Sequence, residues 1–282
     1  MLLLDGKSLS QKRLAILKEK IEKQKTKTSQ CPGLTVIRVG EDPASKIYVK
    51  KKVETCKKIG IYSKEIHLPT DTSEKKLISE VERLNEDKKV HGVLVQLPLP
   101  EQIDVNRVLY KVSPSKDVDG FHPVNLGKLV VEEEDGFVAC TPLGIMNLLK
   151  DYKIPIDGKN AVVIGRSRVV GRPMSILLDQ ANATVTVVHL HTKDPKEHTR
   201  QADILVVATG VKHLVNASHL KDGAVVVDVG IHRNENGKLC GDVDFEDVKE
   251  KVSAITPVPG GVGPLTICSL LENTYKSFLQ SS

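Results

Sequence analysis

The stretch that decides the fold is residues 160–174. It reads Asn160-Ala161-Val162-Val163-Ile164-Gly165-Arg166-Ser167-Arg168-Val169-Val170-Gly171-Arg172-Pro173-Met174, a short apolar strand, a turn and the start of a helix. Glycine permits a tight turn at Gly165 and a close backbone approach at Gly171, and the N–H groups at a helix N-terminus suit a pyrophosphate. The pattern therefore favours a dinucleotide site. Its spacing is G-x-S-x-x-x-G rather than G-x-G-x-x-G, so an ordinary strand–helix turn of a Rossmann-like fold stays open as the alternative.

Strand-like and helix-like segments alternate on both sides of this stretch. The predicted strands cover residues 34–39, 63–68, 92–96, 160–164, 184–189, 203–208 and 224–229, and the predicted helices cover residues 8–27, 43–59, 73–87, 143–152, 172–181 and 265–279. Such alternation is typical of parallel βαβ units. We predict an α/β protein with two α/β lobes around a cleft, the second lobe being a Rossmann-like parallel sheet. The first domain covers residues 1–138, joined by the C-terminal helix at 265–282, and the second covers residues 139–264.

The composition narrows the class of protein. The chain has 282 residues and a formal net charge of +5, and it is 40% hydrophobic and 27% charged, as in an ordinary soluble globular protein. No apolar run approaches the roughly 18–20 residues that span a bilayer, and the N-terminus lacks a secretory signal. The 5 Cys are scattered without a C-x-x-C pair, which suits a reducing cytosol and predicts no metal site. Only 5 Tyr and 4 Phe are present to stack on bases, so we expect no nucleic-acid partner. The cysteine pattern and the lack of a long apolar run lead us to expect a cytoplasmic protein without a membrane partner.

The residues that follow the next predicted strand favour NADP over NAD. An acidic residue about 20 positions past the first glycine normally holds the ribose 2′-hydroxyl of NAD. Residues 185–193 contain no Asp or Glu. The basic side chains that would instead suit a 2′-phosphate are Arg166, Arg168, His189, His191 and Lys193. For Arg168 and Lys193, a solvated rim is the alternative interpretation.

Lys52 falls on the apolar side of the helix predicted after Asp42-Pro43. At about 100° per residue, one arc of this helix is apolar. The arc is formed by Val49, Val53, Cys56 and Ile59. Lys52 lies inside it, with Tyr48 beside it. A lysine in such a place loses hydration of its ammonium form, so its pKa should fall and it becomes usable as a general acid or base. Snorkelling of the amine to solvent is the alternative.

Three other segments carry candidate binding residues. Gln96 ends a predicted strand just before Leu97-Pro98-Leu99-Pro100, where the carboxyl ends of parallel strands open onto ligand clefts. Asp119 lies in Lys116-Asp117-Val118-Asp119-Gly120, and an Asp-Gly turn is its simpler interpretation. Residues 256–264 combine three prolines with three glycines, which suits a close backbone approach to a ligand, with a domain linker as the alternative.

Taken together, these motifs resemble the bifunctional methylenetetrahydrofolate dehydrogenase/methenyltetrahydrofolate cyclohydrolase family. The matching segments are Tyr48-x-x-x-Lys52 and residues 96–100, 116–120, 165–167 and 257–264, in the family's order over nearly the whole chain. The resemblance implies an NADP-dependent oxidation of 5,10-methylenetetrahydrofolate to 5,10-methenyltetrahydrofolate and hydrolysis of that product to 10-formyltetrahydrofolate. It also implies tetrahydrofolate derivatives as substrates, a homodimer, and a place in one-carbon metabolism and purine biosynthesis.

The resemblance also assigns roles to individual residues. Lys52 would be the catalytic lysine, with Tyr48 stacking on the folate, Gln96 hydrogen-bonding Lys52 and Asp119 binding the pterin ring. Further substrate contacts would come from Leu97, Pro98, Pro257, Gly260 and Gly261. The NADP contacts would be Gly165, Arg166, Ser167, Leu190 and Ile231. Leu190 departs from the Ser or Arg that relatives often carry beside the 2′-phosphate.

Two other functions stay open from the residues alone. One is an NADP enzyme acting on a different substrate, such as a shikimate-like hydroxy acid or an amino acid. The other is a dinucleotide-responsive binding module without turnover.

Overall fold

The computed structural model describes residues 1–281, which divide into two compact units. We call them the six-stranded unit (residues 1–11 and 141–266) and the three-stranded unit (residues 12–140 and 267–281). Each unit is named after its parallel sheet and has its own hydrophobic core. The α/β class and the predominantly parallel sheet predicted from the sequence are confirmed.

The elements are numbered in chain order. The strands are β1 (Leu2–Leu3), β2 (Gly33–Val39), β3 (Tyr62–Leu68), β4 (Gly92–Val95), β5 (Asn160–Ile164), β6 (Thr184–Val188), β7 (Ile204–Val207), β8 (Val225–Asp228), β9 (His232–Arg233), β10 (Leu239–Cys240) and β11 (Ala254–Ile255). The α-helices are α1 (Gly6–Thr28), α2 (Pro43–Ile59), α3 (Glu74–Glu86), α4 (Val105–Leu109), α5 (Pro123–Val130), α6 (Cys140–Asp151), α7 (Gly171–Gln180), α8 (Pro195–Thr199), α9 (Phe245–Val248) and α10 (Val262–Gln280). Within residues 1–281, no helix combines the length and the apolarity that a bilayer crossing requires.

The larger sheet has the strand order β1-β11-β8-β7-β5-β6, and all its pairs are parallel. Strands β7 and β8 are buried along their whole length, which explains why β7 is apolar throughout and β8 is apolar up to its last residue, Asp228. Ile164 is in register with both Val188 and Val207. The carboxyl ends of β5, β6 and β7 therefore lie along one edge of the sheet, and β8 joins them through the pairing of Val207 with Asp228.

The first residues of the chain belong to the six-stranded unit, whereas the sequence-based division placed them in the first domain. Leu2–Leu3 form β1, which pairs with β11 in register with Ala254 and Ile255. Gly6 then packs so closely against the Gly261 carbonyl that a Cβ atom would overlap it. A two-residue strand shows no alternation of its own, so its place depends on the distant strand that it pairs with.

The smaller sheet has the order β3-β2-β4, and its parallel strands are joined through α2 and α3. Most predicted segments agree with these elements within a few residues. The C-terminal helix starts earlier than predicted. Helix α10 begins at Val262, inside the predicted proline- and glycine-rich loop, rather than at residue 265. Pro264 does not prevent this, since the first turn of a helix needs no intrahelical N–H donor.

Candidate active site

Helix α2 presents Lys52 to the interior of the three-stranded unit. The helix starts after Asp42, whose carboxylate accepts a hydrogen bond of 2.7 Å from the Ser45 N–H, and Pro43 fits its first turn. One face of the helix is buried, and it comprises Ser45, Val49, Lys52, Cys56 and Ile59. Lys52 is only 9% exposed. The prediction that this lysine lies on the apolar side is confirmed, and its side chain does not snorkel to solvent.

The Lys52 amine is held by a side chain at the end of β4. Its Nζ donates a hydrogen bond of 3.0 Å to Gln96 Oε1. The Gln96 Nε2 group donates to the Leu97 carbonyl at 2.7 Å, which also accepts from Ser45 Oγ at 3.3 Å. These bonds fix the amide so that its oxygen, rather than its N–H₂ group, faces the amine. The next residue, Pro98, follows a cis peptide bond.

Charges and burial oppose each other at the amine. Burial lowers the pKa of Lys52, while the negative charge of Asp119 acts to raise it. For half-buried Asp119, burial raises the pKa of the carboxyl, and the Lys52 charge acts to lower it. Both groups are thus displaced toward their neutral forms. An amine that can lose its proton at lower pH than usual is suited to proton transfer in a catalytic step.

Cys140 joins this group, although no pattern in the sequence indicated it. Its side chain is 1% exposed, and burial raises the pKa of the thiol well above its usual range. The neutral thiol donates its one proton to the Val118 carbonyl at 3.3 Å. The sulfur lies near the Asp119 carboxyl, whose negative charge raises the pKa of the thiol further. Cys140 starts α6, far along the chain from Lys52, so only the folded structure brings the two together.

The loop that carries Asp119 is organised around Asp117, a second residue that sequence reasoning missed. The buried Asp117 carboxylate accepts hydrogen bonds from Phe121 N at 3.1 Å, His122 N at 2.8 Å and Asn125 Nδ2 at 2.8 Å. Burial raises the pKa of Asp117 to about 6. The loop is therefore held by a charged group rather than being only an Asp-Gly turn.

Tyr48 lies one helical turn before Lys52 and is half-buried. Burial raises the pKa of its phenol, so the ring carries a neutral hydroxyl at physiological pH. The structure thus brings Lys52, Gln96 and Asp119 together in one unit. Tyr48 lies one turn from Lys52 on the same helix, and Leu97 directly follows Gln96. An amine, an amide, a carboxylate and a flat ring can bind a polar heterocycle and move protons on it.

The second predicted site lies at the strand-end edge of the six-stranded sheet. Gly165 follows β5 at φ +116° with its Cα against the Ala208 carbonyl, and Gly171 lies against the Gly165 carbonyl. A Cβ atom at either position would overlap that backbone oxygen. Ser167 Oγ accepts from Val170 N at 3.2 Å, just before α7 begins. The tight turn and the close approach predicted at the two glycines are confirmed.

Basic groups gather beside this turn. The rings of His189 and His191 lie 6.1 Å apart after β6. Burial lowers the pKa of His189, and the charge of Arg166 acts in the same direction, so the two residues are close enough to interact. Leu190 lies between the histidines and is 94% exposed. Such a cluster suits a phosphate group, whereas Leu190 offers it no hydrogen bond.

The remaining predicted residues also belong to the six-stranded unit. Ile231 follows the end of β8 and is exposed. Pro257, Gly260 and Gly261 form the turn before α10, in which Val258–Pro259 is a cis peptide bond and Gly261 N donates to the Pro257 carbonyl at 2.8 Å. Among residues 1–281, no group of three or more His, Cys, Asp or Glu side chains could hold a metal ion.

Comparisons with known proteins place the chain in a family. The family model described as "Tetrahydrofolate dehydrogenase/cyclohydrolase, catalytic domain" matches residues 4–119, and the one described as "Tetrahydrofolate dehydrogenase/cyclohydrolase, NAD(P)-binding domain" matches residues 139–282. The chain is 57% identical to the bifunctional protein FolD of Aquifex aeolicus over 98% of this chain and 95% of the relative.

Solved structures agree with this placement. The bifunctional enzyme FolD, a methylenetetrahydrofolate dehydrogenase/cyclohydrolase from Campylobacter jejuni, is 52% identical with a TM-score of 0.97 over 99% of each chain. The Trypanosoma brucei enzyme, solved with NADP and an inhibitor, is 37% identical with a TM-score of 0.95, covering 100% of this chain and 98% of its own. A shikimate dehydrogenase from Thermus thermophilus, 17% identical with a TM-score of 0.54, shares the fold alone and gives no support to a hydroxy-acid substrate. The chain belongs to the tetrahydrofolate dehydrogenase/cyclohydrolase family.

Proposed function

We propose that this chain oxidises 5,10-methylenetetrahydrofolate with NADP⁺ and then hydrolyses the 5,10-methenyltetrahydrofolate formed to 10-formyltetrahydrofolate. The observation that carries the proposal is the buried amine of Lys52, bonded to the Gln96 amide and facing the Asp119 carboxylate. Within this family, an amine with a lowered pKa is the group that the hydrolytic step needs.

The first step is a hydride transfer, and positioning supplies most of its catalysis. The one-carbon bridge of the substrate loses a hydride and becomes a methenyl cation delocalised over two nitrogens, and no proton has to be removed. When bound, NADP⁺ would supply the hydride acceptor for this step. Tyr48 stacks on the folate and Asp119 binds the pterin ring, so the bridge is held in place. Further contacts come from Leu97, Pro98 and the turn at Pro257, Gly260 and Gly261.

The second step adds water to the methenyl carbon. Neutral Lys52 accepts a proton from the attacking water as the new C–O bond forms, and it returns this proton to the ring nitrogen as the bond from that nitrogen to the one-carbon unit breaks. The remaining hydroxyl proton is released to solvent as the formyl carbonyl forms. The lowered pKa serves this step twice, because the neutral amine is a base and does not repel the cationic substrate. Gln96 keeps the amine aimed by offering it only an acceptor.

The dinucleotide site that we propose fits NADP. The absence of side chains at Gly165 and Gly171 leaves room for the pyrophosphate at the turn before α7, where Ser167 lies. Arg166 and the two histidines after β6 face the 2′-phosphate, with Leu190 beside them. Ile231 supplies an apolar contact at the end of β8.

We further propose a cytoplasmic homodimer that supplies a one-carbon unit to purine biosynthesis and has no nucleic-acid or membrane partner. The five cysteines are free, as a reducing compartment requires. Strand β6 is the last strand of its sheet, and Val187 on it is 37% exposed, so a second copy could pair with this edge. Sedimentation of the purified chain measures whether it forms the dimer.

The test of the proposed activity is Lys52→Met. We expect the rate of methenyltetrahydrofolate hydrolysis to fall by about 10²-fold or more, the usual contribution of a general acid–base group. Hydride transfer, followed as NADPH absorbance, should fall much less because it needs no proton transfer. Lys51→Met is the matched control, since Lys51 is exposed on the same helix. Parental hydrolysis by Lys52→Met would remove Lys52 from the mechanism, and a parent that reduces no NADP⁺ with methylenetetrahydrofolate would exclude the activity.

A further inference from the structure

Two buried carboxylates tie together the loops at the strand-end edge of the six-stranded sheet. Asp242 is fully buried, and its Oδ2 accepts hydrogen bonds from Thr209 N at 2.6 Å, Thr209 Oγ1 at 2.8 Å and Gly210 N at 2.9 Å, all in the loop after β7. Asp228 ends β8 and accepts from Gly230 N at 2.9 Å, Asp242 N at 3.0 Å and Val243 N at 3.0 Å. The loops after β7 and β8 are therefore joined through the segment that begins at Asp242.

The second oxygen of Asp242 faces a histidine. His232 Nε2 lies 2.7 Å from Asp242 Oδ1, and the side chain of His232 is 21% exposed. His232 opens the hairpin formed by β9 and β10, directly after Ile231. Because Oδ2 already accepts from Thr209 and Gly210, the imidazole is the group that serves the other oxygen of this buried carboxylate.

The backbone between β8 and the hairpin has little freedom. A Cβ atom at Gly230 would overlap the Asp242 carboxylate, so this segment packs directly on it. Gly230 is fixed on one side by its bond to Asp228, and Ile231 is fixed on the other by the His232–Asp242 contact. The exposed side chain of Ile231 thus stands on a backbone whose position depends on His232.

We propose that His232 is a positioning residue for the dinucleotide, which acts through Asp242 to hold Ile231 and the Thr209–Gly210 loop in the shape that binds NADP. The inference rests on the proposed function, because it takes the edge at β5–β8 as the NADP site. Removal of the imidazole leaves a buried carboxylate oxygen without this donor, and such a group is costly unless the surrounding loop moves or water enters. Either change displaces Ile231.

The test compares His232→Leu, which keeps volume without a donor, with His232→Gln, whose amide nitrogen reaches the position of Nε2. We expect His232→Leu to raise the dissociation constant of NADP⁺, measured by calorimetry, and the KM for NADP⁺ by about tenfold. The kcat for hydride transfer at saturating NADP⁺ should change by less than about twofold, because no interaction made only in the transition state is lost. His232→Gln should restore both constants. Glu235→Ala, an exposed change in the same hairpin, should match the parent.

The cyclohydrolase activity distinguishes positioning from general damage, since hydrolysis uses no dinucleotide. Parental hydrolysis in His232→Leu together with weakened NADP⁺ binding supports the proposal. A parental dissociation constant in His232→Leu overturns it, and so does a proportional loss of hydrolysis and cofactor binding. If His232→Leu fails to fold, His232→Ala takes its place and is compared with His232→Gln and the parent in the same measurements. A parent that binds NADP⁺ but turns over no folate overturns the proposed function alone, because the calorimetric test of His232 still stands.

Discussion

Lys52 is held by an amide and faces a carboxylate, and these two neighbours act differently on its charge. The Gln96 oxygen accepts a hydrogen bond but carries no full charge, so it orients the amine without strongly favouring the ammonium form. The Asp119 charge does favour that form, yet burial outweighs it and the pKa of Lys52 is lowered. The balance depends on residue 96 being neutral, because a carboxylate at 3.0 Å would stabilise the ammonium ion.

The charge balance at residue 96 can be tested with Gln96→Glu. The new carboxylate raises the pKa of Lys52, so a larger fraction of the amine is protonated at neutral pH and cannot act as a base. We expect kcat for methenyltetrahydrofolate hydrolysis to fall at pH 7. In a plot of kcat against pH, we expect the rising limb to move to higher pH. Gln102→Glu is the control, because Gln102 is exposed and bonds the Thr70 carbonyl instead. An unmoved limb in Gln96→Glu would show that Lys52 is not the group whose titration sets the rate.

At the scale of elements, the turn between β5 and α7 depends on two positions without side chains. A Cβ atom at Gly171 would overlap the Gly165 carbonyl oxygen and lie 2.9 Å from Arg166 Cα. All of these contacts are with backbone, which cannot rotate out of the way as a flexible side chain can. The start of α7 would therefore have to move away from the loop that is proposed to hold the pyrophosphate.

The corresponding prediction concerns Gly171→Ala. We expect the dissociation constant of NADP⁺ to rise by at least about tenfold, while hydrolysis of methenyltetrahydrofolate keeps its parental rate. Gly127→Ala serves as the comparison, because Gly127 lies in α5 with open space around it, and alanine should stabilise that helix by up to about 1 kcal/mol. Calorimetric titration with NADP⁺ measures the first change and urea unfolding the second. Tight NADP⁺ binding by Gly171→Ala would mean that the turn does not contact the cofactor.

Elements with a clear periodicity could be predicted from the sequence. The apolar runs of β2 and β5 and the amphipathic wheel of α2 gave their positions within a residue or two, and the same wheel placed Lys52 inside. Glycine spacing likewise located the turn at Gly165. In each case, residues close in the chain carry the whole signal.

Features that depend on distant partners could not be predicted. Helices of four or five residues such as α4 and α9 are too short to show a period of 3.6, and the hairpin of β9 and β10 lacks an alternating pattern. Nothing near His232 indicates that a buried carboxylate ten residues later faces its ring. Cys140 and Asp117 could not be predicted for the same reason. Their raised pKa values come from burial in the folded chain, which the neighbouring sequence does not indicate.

At the scale of the whole molecule, each unit contains a buried carboxyl group that accepts three hydrogen bonds and whose pKa burial raises to about 6. Burial raises the pKa of Asp117 in the three-stranded unit and that of Asp228 in the six-stranded unit to about 6 in both cases. Each accepts hydrogen bonds from three donors, which act in the opposite direction but do not outweigh burial. Between about pH 4 and pH 6, the folded chain therefore holds protons that the unfolded chain has released.

This difference predicts how stability depends on pH. Because the native state binds more protons in that window, the contribution of each carboxyl to the free energy of unfolding falls as pH rises from about 4 to about 6 and is constant above it. The total change is on the order of 3 kcal/mol for each group. Asp117→Asn and Asp228→Asn remove the titrating group, so each should flatten the pH dependence of amide hydrogen exchange in its own unit and leave the other unit's unchanged. Exposed Asp157→Asn should alter neither. Equal effects of Asp117→Asn on both units would show that the two units unfold together rather than separately, and an unchanged slope would place the proton uptake on other groups.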